Sequence, residues 1–360
     1  MINWNQFTVD NQAITDLREL LFLTVFNDPD IDLVVSNETG VYDGKKLGYI
    51  DSLGDVGLNE SGCSPTYGNI NITGIEKEWK LGDWRIAKHI CYSELENTIA
   101  KYQLNAGTEK AYLQDTPYWD QILIPLLQRA IKEMFWRIVW FGDTAADNVD
   151  IQNGVNAGGN LTVGIDKKLF TMCDGLWKRL FTICAGNAGQ HTTIAANSEA
   201  SYALQKSALR TSGVAIGIVD ELLSDADSRI FDKDDAVIMM TSSLFKALRR
   251  DIVDRYGKTT MPFENVATGI TLSEYDGRKV LALDIWDRMI KKYEDNGTVL
   301  NNPHRALVAS PSNLFVGTEA TDKIAHLNVS FNDETLYNNI FAMSKIGTLI
   351  GEDALVQVAY

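Results

Sequence analysis

Residues 116–141 read TPYWDQILIPLLQRAIKEMFWRIVWF, and their spacing decides what this chain can fold into. Apolar side chains recur at Trp119, Ile122, Leu123, Leu126, Leu127, Ala130, Ile131, Met134, Ile138 and Phe141. That i, i+3, i+4 rhythm predicts one long helix with a single buried face. Thr116 can accept from the unpaired amides of the first turn, and Pro117 suits that turn because it has no N–H to leave unpaired. Pro125 removes a backbone hydrogen bond, so it either kinks the helix or marks its start. Arg129, Glu133 and Arg137 stand four apart and are expected to pair along the polar side. At about 1.5 Å per residue the element would be on the order of 38 Å long, the width of a domain. Its five charged residues exclude a membrane span.

The rest of the chain has to pack around that spine. Its 360 residues leave room for two or three domains or one discontinuous one, and 45% hydrophobic with 22% charged residues is the balance of a folded soluble protein. The net charge of −15 argues against a dedicated nucleic-acid binder, which would carry a basic stripe. The densest basic runs, Lys45-Lys46, Arg249-Arg250 and Lys291-Lys292, read as solvated surface. Cys63, Cys91, Cys173 and Cys184 lie at unrelated spacings, as free thiols in a reducing cytoplasm do. The opening MINWNQFTVD has no basic region followed by an apolar one and does not read as a signal peptide.

Upstream, Asn11 can cap a short helix to Phe26, which Asn27-Asp28-Pro29-Asp30 ends. Residues 36–90 hold nine of the 27 glycines and read as hairpin and loop with little core of their own. Within them Lys77, Trp79 and Leu81 alternate with Glu76, Glu78 and Lys80. Gly82-Asp83 then separates this run from Trp84, Ile86, Lys88 and Ile90, which predicts a hairpin turning at Gly82-Asp83. A helix follows over 92–102. Beyond the spine come a glycine- and asparagine-rich loop at 153–164 and a helix over 167–184. From about Asn197 the pattern becomes α/β. Helices are expected at 198–223, 243–256 and 285–293, and strands at 236–241, 269–273, 279–283 and 305–310. The tail 323–360 alternates again, with a turn at 350–353.

The search for chemistry yields no catalytic, cofactor or metal site. Gly40 to Lys46 is one residue too short for a phosphate loop and lacks its Ser/Thr. His89 and Cys91 would share a strand face, but no second pair completes four ligands. His191, His304 and His326 are solitary, and no nucleophile, base and orienting carboxylate can be assembled. Asp225, Asp227, Asp232, Asp234 and Asp235 lack the glycine and terminal glutamate of a calcium loop and read as a solvated turn. Trp136, Trp140, Phe141 and Trp177 have the composition of a ligand box, but at helical spacing they read as core.

The order of these segments resembles the major capsid protein of tailed bacteriophages, the Hong Kong 97-like fold, an α+β architecture. GYIDSLGDVG and the ending KIGTLIGEDALVQVAY share its texture. The resemblance implies an N-terminal arm at 1–35, an extended E-loop hairpin at 36–90 and a P-domain with its spine helix at 91–196. An α/β A-domain at 197–322 and P-domain return strands at 323–360 complete the expected layout. The same resemblance implies hexamers and pentamers of this chain closing into an icosahedral shell around phage double-stranded DNA, without sequence-specific contacts or a membrane. Portal, scaffolding or auxiliary capsid proteins are the implied partners. Nothing before Asn11 could serve as a cleaved scaffolding segment, so a separate scaffold or none is expected. The virion, assembled in the bacterial host cytoplasm, is the implied location. An encapsulin-type compartment shell is the alternative within this fold, and a soluble α/β enzyme the alternative outside it. The strands of the 197–322 region lack the glycine-rich turn or nucleophile elbow such an enzyme needs.

Inter-subunit contacts are expected at Phe22 and Phe26 in the arm and at Lys77, Trp79, Leu81 and Trp84 in the hairpin. Two tryptophans flank Gly82-Asp83, where a solitary loop would keep polar residues. They are expected to cover a neighbouring subunit or to anchor the hairpin root on its own body.

Overall fold

The computed structural model describes residues 31, 33–52, 73–91, 123–146, 161–257, 262–267, 269–319 and 326–360. The elements expected at 11–26 and 92–102, together with Phe22 and Phe26, lie outside them. In chain order the elements are β1 (Ser36–Thr39), β2 (Lys46–Ser52), β3 (Thr73–Glu78), β4 (Gly82–Cys91) and α1 (Ile124–Phe141). Then come α2 (Leu176–Gly186), β5 (His191–Thr192), α3 (Tyr202–Leu209), α4 (Val214–Asp225), β6 (Val237–Thr241) and α5 (Ser242–Tyr256). The last are β7 (Phe263–Ala267), β8 (Ile270–Tyr275), β9 (Arg278–Leu283), α6 (Asp284–Tyr293), β10 (Ala306–Ala309), β11 (Leu314–Thr318), β12 (His326–Asn332), β13 (Tyr337–Ile350) and β14 (Val356–Ala359).

The α+β class expected from the sequence is the class observed. Seven strands form one sheet in the order β5-β14-β10-β6-β9-β8-β7. A second, five-stranded sheet is organised by β13, which pairs with β4 along 337–346, with β12 along 337–343 and with β11 along 346–350. β1 adds to β11 in parallel, and β2 and β3 form a two-stranded sheet of their own. These sheets cross the expected unit boundaries. β11, inside 197–322, joins the five-stranded sheet, and β14, from the return segment, pairs with β10 in the seven-stranded one.

The sequence VIMMT of β6 is apolar through Met240 and buried at every position because both faces of its sheet are covered. Val237 and Met239 point into one core with α1 and α2, while Ile238 and Met240 point into another with α4 and α5. The helix expected over 198–223 is two, α3 and α4, parted by Gly213 at a left-handed φ of 84°. The helix expected over 167–184 begins at Leu176, because Gly175 must lie against Gly142. A Cβ on Gly142 would stand 2.5 Å from the Cys173 carbonyl oxygen.

α1 departs from a one-faced helix. Pro125 sits in its first turn, where its missing N–H costs nothing. Leu126 and Ala130, expected in the core, are exposed, Leu126 at 57%. From Phe135 to Phe141 every residue is buried, so this end is enclosed all round. Arg137 does not take part in the expected polar ladder. Its Nε donates to the Leu169 carbonyl at 3.2 Å, and its guanidinium lies over the Phe170 and Tyr293 rings. Glu133 instead faces Arg288 of α6 at 3.7 Å.

Trp140, Trp177 and Trp286, from α1, α2 and α6, meet ring against ring with centroids 4.7 to 6.0 Å apart. Beside them Arg305, 0% exposed, lays its guanidinium over Phe141, Trp177 and Phe181 at 5.2 to 5.5 Å. It pairs with Glu294 and donates to the carbonyls of Asn301 (2.9 Å) and Asn302 (2.8 Å). The aromatic cluster that looked like a ligand box is core, and the cation over its rings is the chain's own. A buried pair that loses one member leaves an uncompensated charge. Arg305→Ala should therefore destabilise the unassembled subunit by about 3–5 kcal/mol in urea unfolding. The double replacement Arg305→Met with Glu294→Leu should recover most of that loss.

Candidate functional site

β2 and β3 form an antiparallel ribbon in the register Lys46↔Glu78 to Ser52↔Thr73, and among the described residues no third strand pairs with either. An isolated two-stranded ribbon is marginal in water, so its root carries the fixing contacts. The turn at Gly44, with φ of 86°, closes through Gly44 N–H to Trp79 C=O and Trp79 N–H to Lys45 C=O, both 2.9 Å. Val41 N–H donates to Thr318 C=O at 3.0 Å, and Leu81 N–H to the Asp43 carboxylate at 3.0 Å. Further out, Lys46 pairs with Glu76 at 2.8 Å in full contact with solvent, a bridge of little energetic consequence.

The expected contact residues separate into four different roles. Trp79 is 0% exposed and forms a small core with Val41 and Leu349, flanked by Leu47, Leu81 and Phe315. Trp84 is 3% exposed and belongs to the main core with α1 and α2. Both tryptophans are thus enclosed by their own chain, and of the two roles expected for Trp79 it has the anchoring one. Lys77 donates to Ile350 C=O at 2.8 Å and pairs with Asp353, clamping the ribbon root to the turn after β13. Leu81 is half-buried against Trp79.

The expected hairpin at Gly82-Asp83 does not form, since β3 pairs with β2 and β4 pairs with β13. Gly82 is instead a close-approach glycine, whose Cβ would fall 1.6 Å from the Met172 carbonyl oxygen. Gly317 and Gly347 went unnoticed in the sequence and are partners across β11 and β13. A Cβ on Gly317 would stand 2.6 Å from the Trp79 ring, and one on Gly347 2.6 Å from the Lys80 carbonyl oxygen. Glycine inside a strand marks such an approach, and the matching Gly-Thr pairs at 317–318 and 347–348 were the available signal.

Elsewhere the chemistry is structural. Ser243 Oγ lies 2.9 Å from Nδ1 of His304, whose burial pushes its pKa down to about 4 and keeps the ring neutral at pH 7. Nε2 of His304 has no hydrogen-bond partner among the described residues, so no carboxylate orients the ring as a catalytic base requires. Asp287, its carboxyl raised by burial, accepts from the Ser242 and Ser243 amides at 2.7 and 3.1 Å and caps α5 from α6. His89 stacks on Tyr337, and His191 on Tyr360. Burial pushes the Cys173 and Cys184 thiols up to about 12. Among the described residues no three His, Cys, Asp or Glu side chains converge on a point where a metal could sit. Asp227 and Asp235 of the acidic turn serve Arg229 and the 310–312 turn respectively.

No protein-family model matches the chain, and no curated protein matches it in sequence. Among solved structures, one from Gordonia phage Cozz superposes with a TM-score of 0.50 at 10% identity, over 90% of this chain and 84% of that one. A structure from Mycobacterium phage Ogopogo gives 0.49 at 9% identity, over 91% and 90%. The satellite phage P4 procapsid, including its size determination (Sid) protein, gives 0.44 at 11% identity, over 97% and 98%. The chain therefore shares its fold with the Gordonia phage Cozz structure. At that level the resemblance to the Hong Kong 97-like fold holds.

Trp79→Ala should open a cavity in the small root core rather than the main one, at a cost of about 3–5 kcal/mol local to the ribbon. Limited trypsin digestion should then cut faster within residues 46–80, while the near-ultraviolet circular dichroism of the body is unchanged. Gly317→Ala should have the same effect by displacing the indole.

Proposed function

We propose that this chain is a major capsid protein, many copies of which close into an icosahedral shell around phage double-stranded DNA. The single observation that carries the reading is the β2–β3 ribbon, a two-stranded sheet with a heavily anchored root and, among the described residues, no further strand beside it. A ribbon built this way has its edges free for a neighbour's surface. The shared fold supports the reading, as does the order of segments around the spine helix, but a fold alone does not specify a function. In this reading the E-loop expected at 36–90 is cut back to residues 40–80, because β1 and β4 belong to the five-stranded sheet; that sheet with α1 forms the P-domain, and the seven-stranded sheet the A-domain. Of the arm expected at 1–35, the part with Phe22 and Phe26 would wrap another subunit, whereas Ile31, Val34 and Val35 are buried in this chain's own main core.

The mechanism is geometric. Each copy lays its ribbon on a neighbour, and many modest interfaces act together as multivalent contacts. The net charge of −15 suits a lining that must confine DNA without gripping it. Portal, scaffolding or auxiliary proteins complete the particle in the virion. Expressed with its own scaffold if it needs one, the protein should sediment as closed particles of megadalton mass that electron microscopy resolves as shells. Folded protein that stays monomeric or dimeric under those conditions contradicts the reading.

A further inference from the structure

A cavity of about 1110 Å³ opens between α3, α5 and α6, near the C-terminal end of β6. Its wall carries six exposed cations from three helices: Lys206, Arg210, Lys246, Arg250, Arg288 and Lys291. Arg250 and Arg288 have only long contacts to Asp254 and Glu133, at 3.8 and 3.7 Å. Lys206, Arg210, Lys246 and Lys291 make no ion pair among the described residues. Three acids share the wall and keep their charge while accepting from neutral donors: Asp284 from Ser242, Asp287 from the α5 amides, and Asp295 from Tyr202 and Gly297, so six cations against three carboxylates leave the wall a formal net +3. A concentration of unpaired positive charge in a concave site, on a chain of net charge −15, calls for an anionic occupant. The cavity is far larger than one small anion needs.

The chain carries a matching surface at the other end of the same strand. The turn from Asp225 to Asp235, SDADSRIFDKDD with Ser224, exposes Asp225, Asp232 and Asp234, which make no ion pair among the described residues. This turn enters β6 at Val237, whereas the cavity begins where β6 ends, at Ser242. Five extended residues separate the two surfaces by roughly 16 Å, so a subunit cannot place its own turn in its own cavity. A second copy can. Opposite charges at opposite ends of one element make a head-to-tail contact, the kind that closes into rings when its rotation allows.

We propose that the cationic cavity between α3, α5 and α6 receives the acidic turn 225–235 of a second copy of this chain. The contact needs only a second copy; its repetition around a closed ring rests on the shell reading above.

The test uses three full-length variants, each checked for native circular dichroism. One reverses the cavity (Lys246→Glu with Lys291→Glu), one reverses the turn (Asp232→Lys with Asp234→Lys), and one carries all four changes. Assembled fraction is read by sedimentation. Each paired reversal should lower it at least ~10-fold, because like charges then meet at every contact. The four-fold variant should restore it, because the attraction is rebuilt with its signs exchanged. If wild type forms particles and either paired reversal assembles equally well, the contact is wrong and the shell reading stands. Loss in the cavity variant without recovery in the four-fold variant means that the cavity takes another acidic partner, and the proposal falls. Wild-type protein that never assembles overturns both.

Discussion

The buried Arg305 guanidinium is the constraint around which the body is arranged. A cation taken wholly out of water must have its charge and donors answered. Glu294 and the carbonyls of Asn301 and Asn302 do this from one side, and the rings of Phe141, Trp177 and Phe181 from another. Those groups come from the end of the spine helix, from α2 and from the segment after α6. Arg305 itself stands one residue before β10, an interior strand of the seven-stranded sheet. One side chain thus ties that sheet to the helix packed against the other. The Gly142–Gly175 approach holds the two helices close enough for their tryptophans to meet. Burial pushes the Glu294 carboxyl upward, and the Arg305 charge beside it pulls it back.

A body fixed this firmly can hold an appendage that has no core. The ribbon root is bolted down by Trp79, packed over Gly317 with Val41 and Leu349, and by Lys77 on Asp353. The division of labour is physical. The body supplies a frame packed within the chain, and the ribbon has backbone edges that no other strand among the described residues pairs.

The sequence was legible where one physical effect dominated. The spine helix from Ile124 onward, β6, α5, β8, β9, α6 and β10 were all readable from apolar pattern, while the Thr116 cap lies outside the described residues. Near Phe135 the single-face reading broke down because two sheets and two helices enclose the helix on all sides, which periodicity cannot anticipate. Gly82-Asp83 looked like a turn because a glycine needed for close approach to Met172 is indistinguishable by type from one needed for a positive φ. The true partner of β4 lies some 250 residues away in β13, beyond any local signal. Trp79 and Trp84 were rightly singled out as large aromatics in a polar segment. Their burial within the chain could not be read without knowing that Gly317 and Gly347 clear the floor beneath Trp79 and Lys80. Nothing local could reveal the cavity either, since its cations come from three helices spread over residues 206–291.

The central claim is that the body is complete in one chain and the ribbon is completed by another. Hydrogen–deuterium exchange on dissociated subunits and on assembled particles separates the two directly. The backbone amides of β2 and β3 should exchange quickly in free subunits and become protected on assembly, while those of β6, β10 and α1 are equally protected in both. Equal protection of the ribbon in both states, or a body that gains its protection only on assembly, would contradict the claim.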